Sequence, residues 1–538
     1  MALYKDIRVD VPEKGIVLQK ANGIEYAYYT VRSYRNSKGK PTSKRVSIGK
    51  IEDGTGKLIP NSSYYTDYLK EETPEIRSIK SYGVTYLIEC ILKELKLDLV
   101  LEKKFPEIYT QITAIAEYML CEGNIMYGYE SWTEEVHPYR NVKLNSQQIS
   151  RVFQGIDYNR RMEFFRTWIY AKEQSEYLVY DVTSISSYSQ KIEGLEWGYN
   201  RDGEDLKQIN LAMYYGEQSQ LPLYYCIYYG SLLDKVHLES MLRDNEIIGN
   251  KKVKYILDRG FHSEDNIKLL VKSGCRVIMS IPGHLKVSTE LIDRYRGEIA
   301  GHSECHLGKG LPYAKAVTVN EFGIRCKIHI YYSPSKASIE EENLYEKLEK
   351  DEEALKSMKT APEKNSHYEK HFEIVRNEDK SFEYRRDPKK IDNLINRLGF
   401  FLILETDFTL TSEEVLALYR RRDIIEKSFD ELKNDLDMRR MYCQSDDTME
   451  GKMFVVFLSL ILRSFIHNRT ISYFRDTGTP FSALFRELNK MRFVCTADGR
   501  KMLSPITKKQ RDILNACGYN SEDIPDWLDS IPGLGCIV

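Results

Sequence analysis

The residues with the most evident capacity for chemistry lie between Tyr419 and Lys433 (YRRRDIIEKSFDELK). In a helix, Tyr419, Arg422, Glu426 and Lys433 stand at offsets of three, seven and fourteen residues. At roughly 100° per residue they fall within about 60° of one another, on one stripe. A carboxylate flanked by two cations and a phenol suits a metal-dependent phosphodiester site. The carboxylate holds a divalent ion, the cations bind phosphate oxygens, and the phenol hydrogen-bonds or stacks. The same pattern also describes an exposed helix face with an i, i+4 pair between Arg422 and Glu426. Asp423 and Asp430 lie on or near the stripe, so spacing leaves the choice of carboxylate open.

Two aspartates far upstream add to this segment. Asp181 ends the apolar run Tyr177-Leu-Val-Tyr-Asp-Val, and Asp258 ends Val253-Lys-Tyr-Ile-Leu-Asp. Both runs read as short buried strands with an acid at or near the carboxyl end. Buried acids are rare unless paired or metal-bound, and open α/β sheets place their sites at strand ends. One such aspartate is commonly a turn or cap residue. Two of them with a helix carboxylate form a candidate for two-metal chemistry, with ions roughly 3.5–4 Å apart.

Tyr419, Arg422, Glu426 and Lys433 match the Y-x2-R-x3-E-x6-K signature, and the chain resembles the DDE transposases of bacterial insertion sequences, in the insertion-sequence-four superfamily. Asp181 (YDVTSIS) and Asp258 (LDRGFHS) look like the first and second acids of that family's triad, and Glu426 the third. The similarity extends to GVTYLIECILKELKLD near residue 83 and LNSQQISRVF near residue 144. The resemblance implies an RNase H-like α/β catalytic domain, a mixed sheet flanked by helices and broken by a large insertion. It also implies two Mg²⁺ ions (with Mn²⁺ as a substitute) on Asp181, Asp258 and Glu426, with Arg422 and Lys433 on phosphates. Tyr419 is implied to position a distorted nucleotide during cleavage through a DNA hairpin. The partners are double-stranded DNA, namely the terminal inverted repeats and the target, and a second copy of the chain; the setting is the bacterial cytoplasm. Alternatives are a domesticated, DNA-binding regulator and an RNase H-like nuclease.

Composition agrees without deciding. At 538 residues the chain suits two to four domains, and 78 Lys+Arg against 80 Asp+Glu mean that any basic surface is local. The 10 cysteines form no CxxC pair, which suggests a reducing compartment. His302, Cys305 and His306 lack the second ligand pair of a zinc finger. No signal peptide opens the chain, and the longest apolar run, Met453 to Leu462, is too short to span a bilayer.

These residues need elements to carry them. Residues 1–75 read as a β-rich basic segment. Between Tyr26 and Ile51 stand Arg32, Arg35, Lys38, Lys40, Lys44, Arg45 and Lys50 with no acid, and Asn36–Gly39 supplies a hairpin turn. Such a ribbon can follow a phosphate backbone, or can be an edge kept soluble by lysine. Residues 76–172 read as a helical DNA-binding domain of helix-turn-helix type, in which Gln147, Gln148 and Arg151 would face bases. The catalytic domain is assigned to residues 175–283 and 399–474. An insertion at 284–398 separates them, β-rich at first and then charged and helical, and a tail covers 475–538. Ser263 reads as a helix cap and Gly274 as that helix's end. Ser412 reads as the cap of one continuous helix running through the signature.

Overall fold

The computed structural model describes residues 7–21, 23–70, 76–172, 176–232, 238, 242, 253–364, 366–378, 380–496 and 501–530. The predicted domain start at Ser175 lies outside the described residues. The chain folds into two compact units, one of residues 1–95, 127–146 and 469–538, the other of residues 96–126 and 147–468. Residues 76–172 are thus shared between the two.

In the first unit, strands Ile16–Ala21, Ile24–Arg35, Pro41–Ile51 and Leu58–Pro60 form an antiparallel sheet in that order. Its long hairpin turns at Asn36, whose Oδ1 accepts from the backbone amides of Lys38 (3.0 Å) and Lys40 (3.1 Å). Ala27, Ile48 and Leu58 are its fully buried core. A second sheet joins Ile76–Ser81 to Arg492–Thr496 and Lys501–Leu503, so the tail supplies two of its three strands. Beside it, Trp527 packs on Tyr82 and Tyr86 and donates to Glu89 (3.0 Å).

The second unit is built on an eight-stranded mixed sheet. Its strands run in the order Tyr313–Glu321, Ile324–Tyr332, Phe400–Glu405, Arg276–Ile281, Lys254–Leu257, Tyr177–Ser186, Gln208–Gly216, Pro222–Tyr229. Among these described strands, only the pairings of Lys254–Leu257 with its two neighbours are parallel. The central strands are buried on both faces, as their near-continuous apolar runs require. Ser263 caps the helix Glu264–Lys272, its side chain accepting from Asn266 N, and Gly274 follows at φ 78°. The first part of the predicted insertion does not form a separate layer. Tyr313–Glu321 and Ile324–Tyr332 extend the large sheet through pairing with Phe400–Glu405. The rest, from helix Pro334–Ser357 to helix Pro388–Ile395, closes around its own core of Leu348, Leu355, Phe372 and Ile391.

The apolar run Met453–Leu462 lies inside a long helix, Asp446–Thr477. Phe454 packs edge-on against Phe164, and Phe457 lies 5.4 Å from the ring of Tyr225 on the outer strand of the sheet. The helix Ser146–Gln154 approaches this long helix so closely that a Cβ on Gly451 would come within 2.0 Å of the Phe153 carbonyl. Among the described residues no helix is long and apolar enough to cross a membrane.

Candidate active site

Tyr180 stands opposite Leu257 in the parallel pairing, so the next residues, Asp181 and Asp258, emerge side by side. Strand Lys254–Leu257 stops there, while the Asp181 strand continues to Ser186, paired with Gln208–Gly216. Asp181 is therefore in mid-strand rather than at the end of one. The crevice beside it exists because its neighbour ends, the position at which open α/β sheets hold ligands. Asp258 caps the single turn Arg259–Phe261, its Oδ1 accepting from Arg259 N (2.6 Å).

The signature segment is not one helix. Thr411, not Ser412, caps the helix Ser412–Arg420, through a capping box with Glu414. Tighter i→i+3 hydrogen bonds at Arg421 and Arg422 then separate it from the helix Asp423–Asp430. A π-turn, Glu431–Asp435, follows. Ile425, Ser428 and Phe429 are buried, and Ser428 contacts the Tyr215 hydroxyl of the neighbouring strand, so Glu426 is turned outward.

The guanidinium of Arg422 bridges Asp258 and Glu426, donating to a carboxylate oxygen of each. Its third neighbour is Tyr419, whose hydroxyl accepts at 3.5 Å. This arrangement separates the three helix acids that spacing left equivalent. Glu426 shares Arg422 with Asp258, whereas Asp430 accepts from Asn434 and Asp423 is exposed. Burial pushes the Asp181 carboxyl up to about 6, opposed by its hydrogen bond from Val182 N and by the Arg422 charge, and reinforced by Asp258. Burial disfavours the charge on Arg422, but Tyr419, Asp258 and Glu426 outweigh it and hold the guanidinium above its ordinary value. Burial likewise raises the Tyr419 phenol.

Lys433 does not join this group. The π-turn directs it to Asp202, with Nζ 2.8 and 2.7 Å from the two carboxylate oxygens, and its side chain is only 10% exposed. The hairpin cations Arg32, Arg35, Lys38, Lys40, Lys44 and Arg45 are all exposed, in the first unit. Lys44 pairs with Arg32 and Arg45 with Thr30 across a bulge in the partner strand, and as consecutive residues of their own strand Lys44 and Arg45 point to opposite faces of the ribbon. Gln147, Gln148 and Arg151 lie on the exposed face of helix Ser146–Gln154, whose Ile149, Val152 and Phe153 are buried.

The family model described as Transposase DDE domain matches residues 172–462, more than half of the chain. The chain belongs to the DDE transposases. No curated protein matches its sequence. Two solved structures similar to the transposase are a piggyBac transposase synaptic complex with hairpin DNA and a Mos1 mariner paired end complex with Mn. The first has a TM-score of 0.35 at 8% identity, covering 80% of this chain and 76% of that one. The second has a TM-score of 0.14 at 15% identity, covering 29% and 50%.

DDE transposases use divalent metal ions, and the residues of this transposase fit such ions in type. Three carboxylates offer hard oxygen donors, and the half-buried Asp181 carries an anion that its protein neighbours compensate incompletely. The ring is not closed, however. Among the described residues no group of three or more His, Cys, Asp or Glu side chains is placed to hold an ion, His302, Cys305 and His306 included. Arg422 stands between Asp258 and Glu426, where a cation belongs.

Two features of the transposase escape a reading by spacing. Asp202, the partner of Lys433, lies in the polar turn Asn200–Asp205, which looks like an ordinary loop. Arg439-Arg440 lies just past the signature, and its basic doublet beside Tyr442 was the available signal.

Proposed function

We propose that this DDE transposase cuts the ends of a mobile element and joins them to target DNA with Asp181, Asp258 and Glu426 as the triad that holds two Mg²⁺ ions. The reading includes membership of the insertion-sequence-four superfamily by its Tyr419, Arg422, Glu426 and Lys433 signature, and an RNase H-like catalytic sheet. The observation that carries it is the adjacency of Asp181 and Asp258 across the parallel pairing, with Arg422 tying Glu426 to Asp258. When bound, the ions supply an activated attacking oxygen and a stabilised leaving oxygen. Asp181 orients its carboxylate from within a strand and Asp258 from the cap just past the end of its neighbour, and Glu426 comes from a helix anchored on the sheet. Arg422, released from the two carboxylates, takes a non-bridging phosphate oxygen, and Tyr419 keeps its guanidinium plane aligned. Lys433 exchanges Asp202 for a phosphate. The basic hairpin and the Gln148–Arg151 face supply contacts to DNA away from the scissile phosphate. Two ends must meet, so the working unit is a homodimer on DNA, acting in the bacterial cytoplasm.

The test is a Mg²⁺-dependent cleavage assay on a plasmid carrying the gene with its natural flanks, comparing wild type with Glu426→Gln. Paired cuts at the flanks, lost in the variant while end binding persists, are the expected result. Wild-type binding without cuts would indicate a domesticated regulator, and scattered cuts a nuclease. Normal cutting by Glu426→Gln would move the third acid to Asp423 or Asp430.

A further inference from the structure

The Asp181 strand has a second functional end. Past Asp181, on the side vacated by Lys254–Leu257, the strand acquires a new neighbour, a short run at Arg439–Met441. Ser186 N donates to Arg439 O (3.1 Å) and Met441 N to Ser186 O (2.8 Å), so Arg440 is locked to the strand by a parallel bridge. Asn124 Nδ2 donates to the Arg440 carbonyl (3.0 Å), and the buried Lys452 ammonium holds the Asn124 carbonyl (3.0 Å) from behind. A surface arginine is rarely given so much backbone support.

What this scaffold displays is cationic and aromatic. The Arg440 guanidinium lies 5.0 Å from the centre of the Tyr188 ring, and Tyr442 follows two residues on along the bridged run. Tyr188 is 62% and Tyr442 51% exposed, a large fraction for rings held this way. Lys452 packs against the Tyr442 ring at 5.8 Å from its centre, leaving the rest of the ring outward. The acid Glu204 faces the group, accepting from Arg440 at 2.9 Å.

We propose that Arg440, Tyr188 and Tyr442 form a second nucleic-acid contact, taking one backbone phosphate on Arg440 and an adjacent sugar or unstacked base on the two rings. Glu204 is the internal anion that the phosphate replaces. Fixed guanidinium forks bind phosphate bidentately, and exposed rings accept any base face, so the site binds without reading sequence. Five residues separate Asp181 from Ser186, about 17 Å at the rise of a strand. That span places the contacted phosphate away from the scissile one, on the same DNA end. This rests on the reading of Asp181 as a triad acid, but only for that distance; the contact itself is independent of the metal.

Binding of end DNA is measured by fluorescence anisotropy across a salt series in EDTA, so that metal ligands play no part. Arg440→Ala should weaken binding about tenfold and lower the salt slope by about one. Tyr188→Ala should weaken it less and leave the slope unchanged, and Tyr188→Phe should restore it. Glu204→Gln should tighten binding several-fold, while Asp205→Asn, an exposed acid of the same loop, should not. An equal gain in Asp205→Asn would assign the effect to bulk charge and overturn the role of Glu204. Single methylphosphonate substitutions scanned on both sides of the cleavage point, with wild-type protein, should show one sensitive phosphate distinct from the scissile one, its sensitivity abolished in Arg440→Ala. An unchanged affinity and slope in Arg440→Ala, or a sensitive phosphate that persists in that variant, would overturn the contact. Sensitivity abolished in the variant but located at the scissile phosphate itself would keep the contact and overturn the placement of Asp181. A Glu426→Gln protein that still cuts would count against the triad alone.

Discussion

In the proposed function Arg422 combines two duties that oppose each other. Between Asp258 and Glu426 it neutralises a pair of carboxylates, and on DNA its fork suits a phosphate. A guanidinium in that position competes with a divalent ion for the same oxygens. Arg422→Ala should therefore tighten Mn²⁺ binding to the DNA-free protein about tenfold, or roughly 1.4 kcal/mol, by isothermal titration calorimetry. The same variant should cleave on the order of 10²–10³-fold more slowly, because a donor aimed at developing phosphate charge is removed. Weaker Mn²⁺ binding would mean that Arg422 arranges the acids rather than competing for them. The role of this residue was only half legible: its stripe followed from periodicity, its bridging position from contact with a strand far away in sequence.

At the scale of elements, the signature helix is held by groups that do no chemistry. Glu431 opens the π-turn and packs against the long helix, 3.6 Å from Arg463 and 3.2 Å from His467, with Asp435, Asp430 and Tyr215 also near. Burial pushes its carboxyl up to about 7, against the pull of Arg463 and with the repulsion of Asp435 and Asp430. The folded chain then keeps a proton that the unfolded chain releases near the ordinary carboxyl value of 4.5. This stability is present below about pH 4.5 and is lost as pH rises toward 7, a swing on the order of 3 kcal/mol. Burial lowers the pKa of His467, which acts in the opposite direction as pH falls, so the variant Glu431→Gln is needed to isolate the acid. Thermal melts across pH 4.5–7.5 should show wild type losing stability relative to Glu431→Gln as pH rises; a constant difference would refute this assignment. A second element-scale test is Gly451→Ala. Its Cβ would collide with the Phe153 backbone, so stability should fall by about 1–3 kcal/mol. A neutral result in chemical denaturation would mean that the two helices separate at no cost.

At the scale of the molecule, the basic hairpin lies in one compact unit and Asp181, Asp258 and Glu426, the proposed triad, in the other. Their contributions to DNA binding should therefore separate experimentally. Replacing Lys44 and Arg45 together with Ala should lower the salt slope of DNA binding by up to about two, roughly 0.9 for each phosphate no longer neutralised. The folding of the catalytic sheet should be untouched. An unaltered slope would remove the ribbon from the interface. Because Lys44 and Arg45 point to opposite faces, a slope change near one would show that a single face meets DNA.

Local pattern determined much of this protein. Alternation and turn chemistry marked the Asn36 hairpin, apolar runs marked the strands carrying Asp181 and Asp258, and Ser263 with Gly274 bounded a helix, because each signal is written within a few residues. Membership of the DDE transposases was legible too, from motifs that are each written within a few residues. Only the tertiary structure decided the rest. The break at Arg421–Arg422, with Ile425 and Phe429 buried beyond it, is not encoded in helical periodicity. That Glu426, rather than Asp423 or Asp430, shares a guanidinium with Asp258 depends on Arg422 reaching across to a distant strand end. The merging of Tyr313–Tyr332 into the large sheet, and of the tail with Ile76–Ser81, are strand pairings between distant segments. Pairing of that kind is set by which edges and apolar faces remain uncovered once the chain has collapsed, and no stretch of sequence states it alone.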